Sequence, residues 1–168
     1  GPMVVGGMML DNTKQTVSLQ TVWSKSEYDG RKLLLVKAEG PNATVGRLGE
    51  GIEKIISQDK PNLIIMVDAS LKLEGENSAS VAKGFGAAMC GIGTDRFQIE
   101  DIATNNSIPI LAIVIKQSIH EALTIMTKGI ADQASSVRLE IQEMIRDNTQ
   151  PKQTVMIIGV GNTLGVSQ

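Results

Sequence analysis

The chain has 168 residues, a net charge of −2 and 42% hydrophobic residues, which is enough apolar material for one domain with a proper core. Charges of both signs are interspersed and aromatic residues make up only 2%, which argues against a nucleic-acid groove. The single cysteine excludes an intramolecular disulfide and a multi-cysteine zinc site, and it fits a cytoplasmic location. No apolar run reaches the roughly 18 residues of a membrane span.

The first third of the chain predicts a short helix, two strands and a second helix. Residues 3–10 follow Gly-Pro and predict a short packed helix, residues 16–23 an edge strand, and residues 33–36 a short buried strand. A turn at residues 28–30 separates the two strands. Apolar residues at helical spacing then predict a helix over residues 44–57.

The rest of the chain continues the alternation of strands and helices. The predicted elements are a strand at 63–68, a glycine-rich loop at 74–93 with a short helix around Ser80, a helix at 96–104, a strand at 108–115, a helix of about 27 residues at 119–145 and a strand at 155–158. Repeated β-α alternation predicts one three-layer α/β/α domain with a mostly parallel sheet. The apolar stripe of the long helix is typical of a core, although it also suits a homo-oligomer contact.

The strongest candidate for chemistry is Asp68, which ends the apolar run of residues 63–67. Ligands of open α/β sheets bind beyond the carboxyl ends of the strands, and Glu74 and Glu76 lie in the same connection. Paired carboxylates act as acid and base or hold a divalent cation, so Asp68 and Glu76 are also candidate metal ligands. The alternatives are that Asp68 binds backbone N–H groups and that both Glu residues are solvated.

A turn-rich loop at residues 39–46 joins a predicted strand to a helix start. Backbone N–H groups at such a start attract anions, which makes Gly40, Asn42, Thr44 and Gly46 candidate ligand-binding residues. The loop lacks the Gly-Lys-Ser/Thr of a phosphate-binding loop, so nucleotide binding is a lesser reading than a turn in which Thr44 caps the helix.

Two further glycine motifs suit close approach of a ligand. Gly91 and Gly93 lie in the glycine-rich loop, where they would face a substrate backbone. Gly161 and Asn162 belong to a loosened dinucleotide fingerprint at the chain's end, but only three residues follow it, so the helix that it requires is missing.

The only histidine and the only cysteine are weak candidates. His120 is most simply a partly exposed helix residue, and Cys90 a small buried hydrophobe. A catalytic pair would need the two side chains to lie together in space.

Three motifs resemble an archaeal family known only as a domain of unknown function. They are Val-Asp-Ala-Ser-Leu-Lys-Leu-Glu-Gly-Glu-Asn-Ser at residues 67–78, Gly-Phe-Gly-Ala-Ala-Met-Cys-Gly-Ile-Gly at 84–93 and Gly-Val-Gly-Asn-Thr-Leu-Gly-Val at 159–166. Members of that family are longer and carry an amino-terminal membrane anchor. The resemblance implies a soluble cytoplasmic domain of a longer protein, joined to a membrane only through a segment outside this chain.

A fainter resemblance is to the spore germination protease and the hydrogenase maturation endopeptidases. Gly-Pro-Met-Val-Val at the start, Lys-Pro-Asn-(apolar)-Asp-Ala at residues 60–69 and Gly-Val-Gly-Asn at 159–162 are similar to segments of those families. The likeness implies a phosphorylase/hydrolase-like fold and an acidic pair, of which only Asp68 matches here. The other Asp would stand immediately before Gly1. The Gly-Val-Gly-Asn segment comes at the end of this chain, whereas it opens the hydrogenase maturation endopeptidases.

Two functions are therefore expected. The first is a peptidase-like hydrolase, aspartate-based or assisted by a divalent cation, with Asp68, Glu74 and Glu76 as catalytic residues and a peptide as substrate. The second is a non-catalytic module that binds a small ligand or assembles with another subunit through the 119–145 helix.

Overall fold

A computed structural model of the chain describes residues 1–42, 44–77, 80–87, 94–118 and 128–161, with residues 128–132 described by their backbone alone. The helices of this part are α1 (Pro2–Met8), α2 (Leu48–Gln58), α3 (Thr94–Asn105) and α4 (Lys128–Asn148). The strands are β1 (Gln15–Ser18), β2 (Thr21–Tyr28), β3 (Arg31–Ala38), β4 (Leu63–Leu71), β5 (Val81–Phe85), β6 (Ile110–Gln117) and β7 (Thr154–Gly159).

The strands form one seven-stranded sheet in the order β1-β2-β3-β7-β4-β6-β5. The central strands β3, β7, β4 and β6 pair in parallel, whereas β2 and β5 run the opposite way to the other five. Helices cover both faces, which confirms the predicted three-layer α/β/α arrangement with a mostly parallel sheet. The carboxyl ends of the four central strands therefore meet at one edge of the sheet, called here the carboxyl edge.

Each face of the sheet carries its own hydrophobic core because successive side chains of a strand point to opposite faces. In β4, Ile64 and Met66 pack with α2 and α3, while Ile65 and Val67 pack with α1 and α4. By the same alternation, Asp68 lies on the face of α2 and α3. Burial on both faces explains why β4 reads as a continuous apolar run.

The apolar stripe of α4 belongs to the core. Its residues between Ala134 and Ile145 that face the sheet are almost fully buried: Ala134, Val137, Ile141, Met144 and Ile145. That stripe is occupied by the chain's own sheet, so the core alternative holds for the described part of the helix. An oligomer contact through another face of the helix stays a prediction. Residues 119–127 lie outside that part.

The predicted single strand at residues 16–23 is wrong, because this segment belongs to β1 and β2. The turn between them places Gln20 at φ +50°, a backbone conformation that usually selects Gly or Asn. No glycine or proline stands there to signal the turn, so the two strands read as one.

The predicted short helix around Ser80 is also wrong, because the next residues form β5 antiparallel to β6. Helix α2 begins at Leu48, later than predicted, because Gly46 has φ +67° and cannot belong to the helix. Thr44 does not cap α2; its hydroxyl donates to the Glu39 carbonyl. No helix of the described residues is long and apolar enough to cross a membrane.

Candidate functional site

Asp68 lies at the carboxyl edge, as predicted, but its side chain is closed off from solvent. It is 1% exposed, and its Oδ1 accepts a hydrogen bond from the Ala69 N–H at 2.7 Å. Its Oδ2 accepts one from the Arg96 guanidinium, whose side chain is 22% exposed. The carboxylate is therefore engaged at both oxygens, by its own strand and by the first turn of α3.

The glycine-rich carboxyl end of β7 lies beside this ion pair. A Cβ on Gly161 would stand 3.9 Å from the Asp68 Oδ1, and Gly161 itself has φ +110°. Gly1 packs against the backbone of Val67 and Val160 with no room for a side chain. Gly161 therefore brings the backbone after β7 close to the Asp68 carboxylate.

Asp95 is the carboxylate that sequence reasoning missed. It precedes Arg96 at the start of α3 and is half-buried. Burial raises the pKa of Asp95, the Asp68 charge raises it further, and the Arg96 charge opposes both effects. The Arg96 guanidinium therefore lies near two carboxylates: Asp68, which is fully buried, and Asp95, which is half-buried. The predicted helix covered Arg96, but only the fold brings it to Asp68, 28 residues earlier.

Asp95 helps to line a cleft between α2 and α3, called here the α2–α3 cleft. Its volume is about 550 Å³, and its lining residues are Gly46, Arg47, Gly49, Glu50, Glu53, Thr94, Asp95, Gln98, Asp101 and Ile102. Both helices begin at the carboxyl edge, so the cleft lies where an open α/β sheet binds its ligands. Asp68 is not in the lining; it supports the cleft through Arg96.

The α2–α3 cleft has an excess of negative charge. Glu50 is held by Lys54 at 2.8 Å and by Arg47 at 3.6 Å, and the Lys54 hydrogen bond is the main reason that the pKa of Glu50 is lowered. Glu53 and Asp101 form no ion pair with another described residue. Together with Asp95 they leave the cleft with three carboxylates that are not matched by a cation of the lining.

Glu74 and Glu76 lie apart from this arrangement. The Glu76 Oε2 accepts the Leu73 N–H at 2.7 Å and stands 3.6 Å from the Lys116 Nζ; the Leu73 bond is the main reason that the pKa of Glu76 is lowered. Glu74 is exposed in the turn at Gly75. Asp68 and Glu76 thus have a cationic partner each, and their catalytic and metal-binding roles stay predictions.

No group of three His, Cys, Asp or Glu side chains among the described residues could hold a metal ion. Of the predicted loop residues, only Gly46 reaches the α2–α3 cleft. The Gly40-Pro41 bond is cis, and the Asn42 carbonyl accepts the Thr44 N–H at 2.7 Å. The predictions for Gly91, Gly93 and Asn162 fall outside the described residues, as do those for Cys90 and His120.

A second buried charge occupies the carboxyl end of β3. Lys37 is 0% exposed and lies opposite Gly159 in the sheet register. Its Nζ donates to the Ala38 carbonyl at 3.0 Å. Burial lowers the pKa of Lys37 to about 8; the neighbouring Lys14 charge adds to the effect and Glu39 opposes it.

Comparison with known families and structures identifies the chain. A family model described as "Domain of unknown function (DUF1512) C-terminal" matches residues 1–167, so the chain belongs to that family. This confirms the resemblance to a family of unknown function. No curated protein matches the chain.

Among solved structures, the chain is similar to a proteasome-assembly chaperone homologue from Mycobacterium tuberculosis. The identity is 12%, the TM-score is 0.43, and the alignment covers 84% of this chain and 78% of that one.

Proposed function

We propose that this domain binds, without catalysis, a small ligand with a positively charged amine or guanidinium group in the α2–α3 cleft. The observation that supports this proposal most strongly is the charge of the cleft: four carboxylates and one guanidinium line a volume of about 550 Å³. That volume lies in the range of roughly 300–1,000 Å³ typical of small-molecule sites. Facing carboxylates in a recess concentrate cations because the surrounding protein screens their field less than water does.

Asp95 is the residue that would respond most to such a ligand. Its pKa is raised mainly by burial, so its charge is poorly solvated in the absence of a partner. A cation placed beside it would favour the ionised form and gain more than it would beside a fully hydrated carboxylate. The Asp68–Arg96 ion pair holds the first turn of α3, which keeps Asp95 aimed at the cleft.

A thermal-shift experiment tests the proposal, because a ligand that binds only the native state raises Tm by mass action. The probes are spermidine, arginine methyl ester, Mg²⁺, ATP and a short neutral peptide. We expect spermidine and arginine methyl ester to raise Tm, and Asp95→Asn or Asp101→Asn to weaken the rise. The matched control is Glu143→Gln, which removes an exposed carboxylate from α4 and leaves the cleft intact.

The opposite pattern would contradict a cation site. If ATP raised Tm and the two amines did not, the ligand would be an anion held at the start of α2 by Gly46 and Arg47. A rise that Glu143→Gln weakened as much as Asp95→Asn would point to general charge attraction and not to the cleft.

The second candidate is the peptidase-like hydrolase centred on Asp68, with Asp95 in place of Glu74 and Glu76 as the second acid. The observation that favours it is the contrast between two neighbouring carboxylates, one bound by Arg96 and one with a raised pKa. Such contrasts separate acid from base roles. Hydrolysis of a fluorogenic peptide library, with and without Mg²⁺, Mn²⁺ and Zn²⁺, should then disappear in Asp95→Asn and persist in Asp101→Asn. No turnover with any peptide or cation would sink this candidate.

A further inference from the structure

The two outer strands of the sheet differ in how their backbone is covered. Strand β1 is short and irregular, and its Val17 carbonyl accepts the Lys54 ammonium at 3.2 Å. Next to it, the Leu19 carbonyl accepts the Arg47 N–H at 3.0 Å. Such devices keep an edge strand from pairing with another chain. Within the described residues, β5 has no comparable cover.

The hydrogen-bond register shows which groups of β5 face outward. Lys116 donates its N–H to the Ser80 carbonyl at 2.8 Å, and Gly86 donates its N–H to the Ile110 carbonyl at 3.0 Å. In an antiparallel pair, alternate residues bond to the neighbouring strand, so the even-numbered residues of β5 are bound to β6. Val81, Lys83 and Phe85 therefore direct their N–H and C=O groups away from the sheet.

Two of these three residues, Val81 and Phe85, present apolar surface beside this open backbone. Phe85 is 83% exposed and Val81 is 36% exposed. Both lie opposite residues of β6, Leu111 and Ile115, that pack on the face of α4. Two apolar side chains thus flank three peptide groups that no other described residue pairs. Such an edge is suited to the addition of another strand, which gains affinity from the main chain and specificity from alternate side chains.

The charged side chains beside β5 indicate which kind of strand would bind there. Lys83 binds Glu140 of α4, and this hydrogen bond is the main reason that the pKa of Lys83 is raised; the nearby charges of Glu143 and Asp147 add to the effect. Three carboxylates thus face one ammonium group along this side of α4. The excess of negative charge favours a strand that carries positive side chains.

We propose that β5 is a docking edge for an extended basic segment of a partner protein, which adds to the sheet as an eighth strand. Apolar residues of the segment pack on Val81 and Phe85, and its Lys or Arg residues reach Glu143 and Asp147. A second copy of this chain fits less well. In the twofold register that matches Phe85 with Val81, it would place Lys83 opposite Lys83 and add a second row of carboxylates.

The test uses a labelled, end-blocked nonapeptide, Lys-Ser-Val-Ser-Thr-Ser-Val-Ser-Lys, whose valines and lysines share one face of an extended strand. The matched control carries Glu in place of both Lys residues. Fluorescence anisotropy measures binding, and amide hydrogen exchange by NMR locates it. We expect only the basic peptide to bind and to slow the exchange of the Val81, Lys83 and Phe85 amides. The double variant Glu143→Lys/Asp147→Lys should weaken binding by about tenfold, because it reverses two exposed charges that attract the basic side chains of the peptide.

A pair of substitutions at one position separates backbone pairing from charge. Lys83→Pro removes an outward N–H without touching the ladder to β6, and edge strands tolerate proline there. Lys83→Gln removes only the charge. We expect Lys83→Pro to abolish binding and Lys83→Gln to preserve it; should Lys83→Pro fail to fold, the α4 double variant carries the test alone.

Three results would overturn the proposal. Equal binding of the acidic peptide would contradict the charge argument, and absence of slowed exchange in β5 would contradict the position. A concentration-dependent dimer in sedimentation, with the three β5 amides protected in the absence of peptide, would identify a second copy as the occupant.

Discussion

Two buried charged side chains lie at the carboxyl edge of the sheet, and they differ in how their charge is stabilised. Asp68, in the carboxyl-terminal half of β4, meets a guanidinium from α3 and an N–H of its own strand. Lys37 at the end of β3 is equally buried, yet its bond is to a neutral carbonyl, and burial lowers its pKa to about 8. The difference is whether an opposite charge binds the ion directly, because Glu39 only partly offsets the burial of Lys37. The Asp68–Arg96 ion pair ties α3 to the sheet, whereas the charge of Lys37, which has no such ion pair, destabilises the native state.

The largest effect is expected from breaking the paired charge. Asp68→Asn removes the buried carboxylate that binds Arg96, and disruption of a buried ion pair costs about 3 kcal/mol or more. Urea denaturation at pH 7 measures the loss in free energy of unfolding. The control is Arg96→Met alone and combined with Asp68→Asn: a coupling energy near zero in this double-mutant cycle would show that the pair contributes nothing.

Removing the unpaired charge should have the opposite sign. Lys37→Met replaces a buried ammonium by an apolar side chain of similar length, and we expect a gain of about 2 kcal/mol in the free energy of unfolding at pH 7. The control is Lys54→Met, at a solvent-exposed ion pair on α2, where little change is expected. A loss of stability in Lys37→Met would show that Lys37 has a role that its single hydrogen bond does not explain.

The pH dependence of wild type provides an independent check on Lys37. Its folded-state pKa, about 8, lies below the ordinary value of 10.5, so the native state binds this proton less tightly than the unfolded chain. The destabilisation is therefore fully present below about pH 8 and is relieved as the pH rises to 10.5. The gain from Lys37→Met should shrink over the same window. A gain that stayed constant from pH 7 to 10.5 would contradict the lowered pKa.

The position of Asp68 at the carboxyl edge could be predicted from the sequence, but its partner Arg96 could not. An apolar run that gives way to Asp68 predicts an acid at the carboxyl edge. Asp68 is the first residue of β4 beyond its pairing with β7, although β4 itself continues to Leu71. Arg96 lies in a predicted helix with nothing local to mark it, since only the packing of α3 on the sheet brings it to β4. Glu74 and Glu76 are near Asp68 in sequence, but β4 continues to Leu71, and the Glu76 side chain binds the Leu73 N–H and lies beside Lys116.

Periodicity predicted the buried elements well and the edges of the sheet poorly. The central strands and α4 are packed on known faces, so apolar spacing marks them. Strands β1 and β5 are half-exposed and contain polar or glycine residues, so their pattern follows pairing with a neighbour and not burial. Lys37 was missed for a related reason: a lysine at a strand end reads as exposed, and only the fold closes over it.

The smallest effect is expected at Asp95, which joins the buried pair to the cleft. Its folded-state pKa is raised, so the native state is favoured by its protonation at low pH and loses that advantage as the pH rises through the folded pKa. Asp95→Asn should therefore raise the urea midpoint at pH 7, and the gain should fade as the pH approaches the ordinary value of 3.8. Because the Asp68 charge raises this pKa and Arg96 lowers it, Asp68→Asn should reduce the gain further. Asp101→Asn in the same two backgrounds is the control, and its effect should not depend on Asp68. If the gain from Asp95→Asn were the same with and without the Asp68 charge, the ion pair and the cleft would be electrostatically independent.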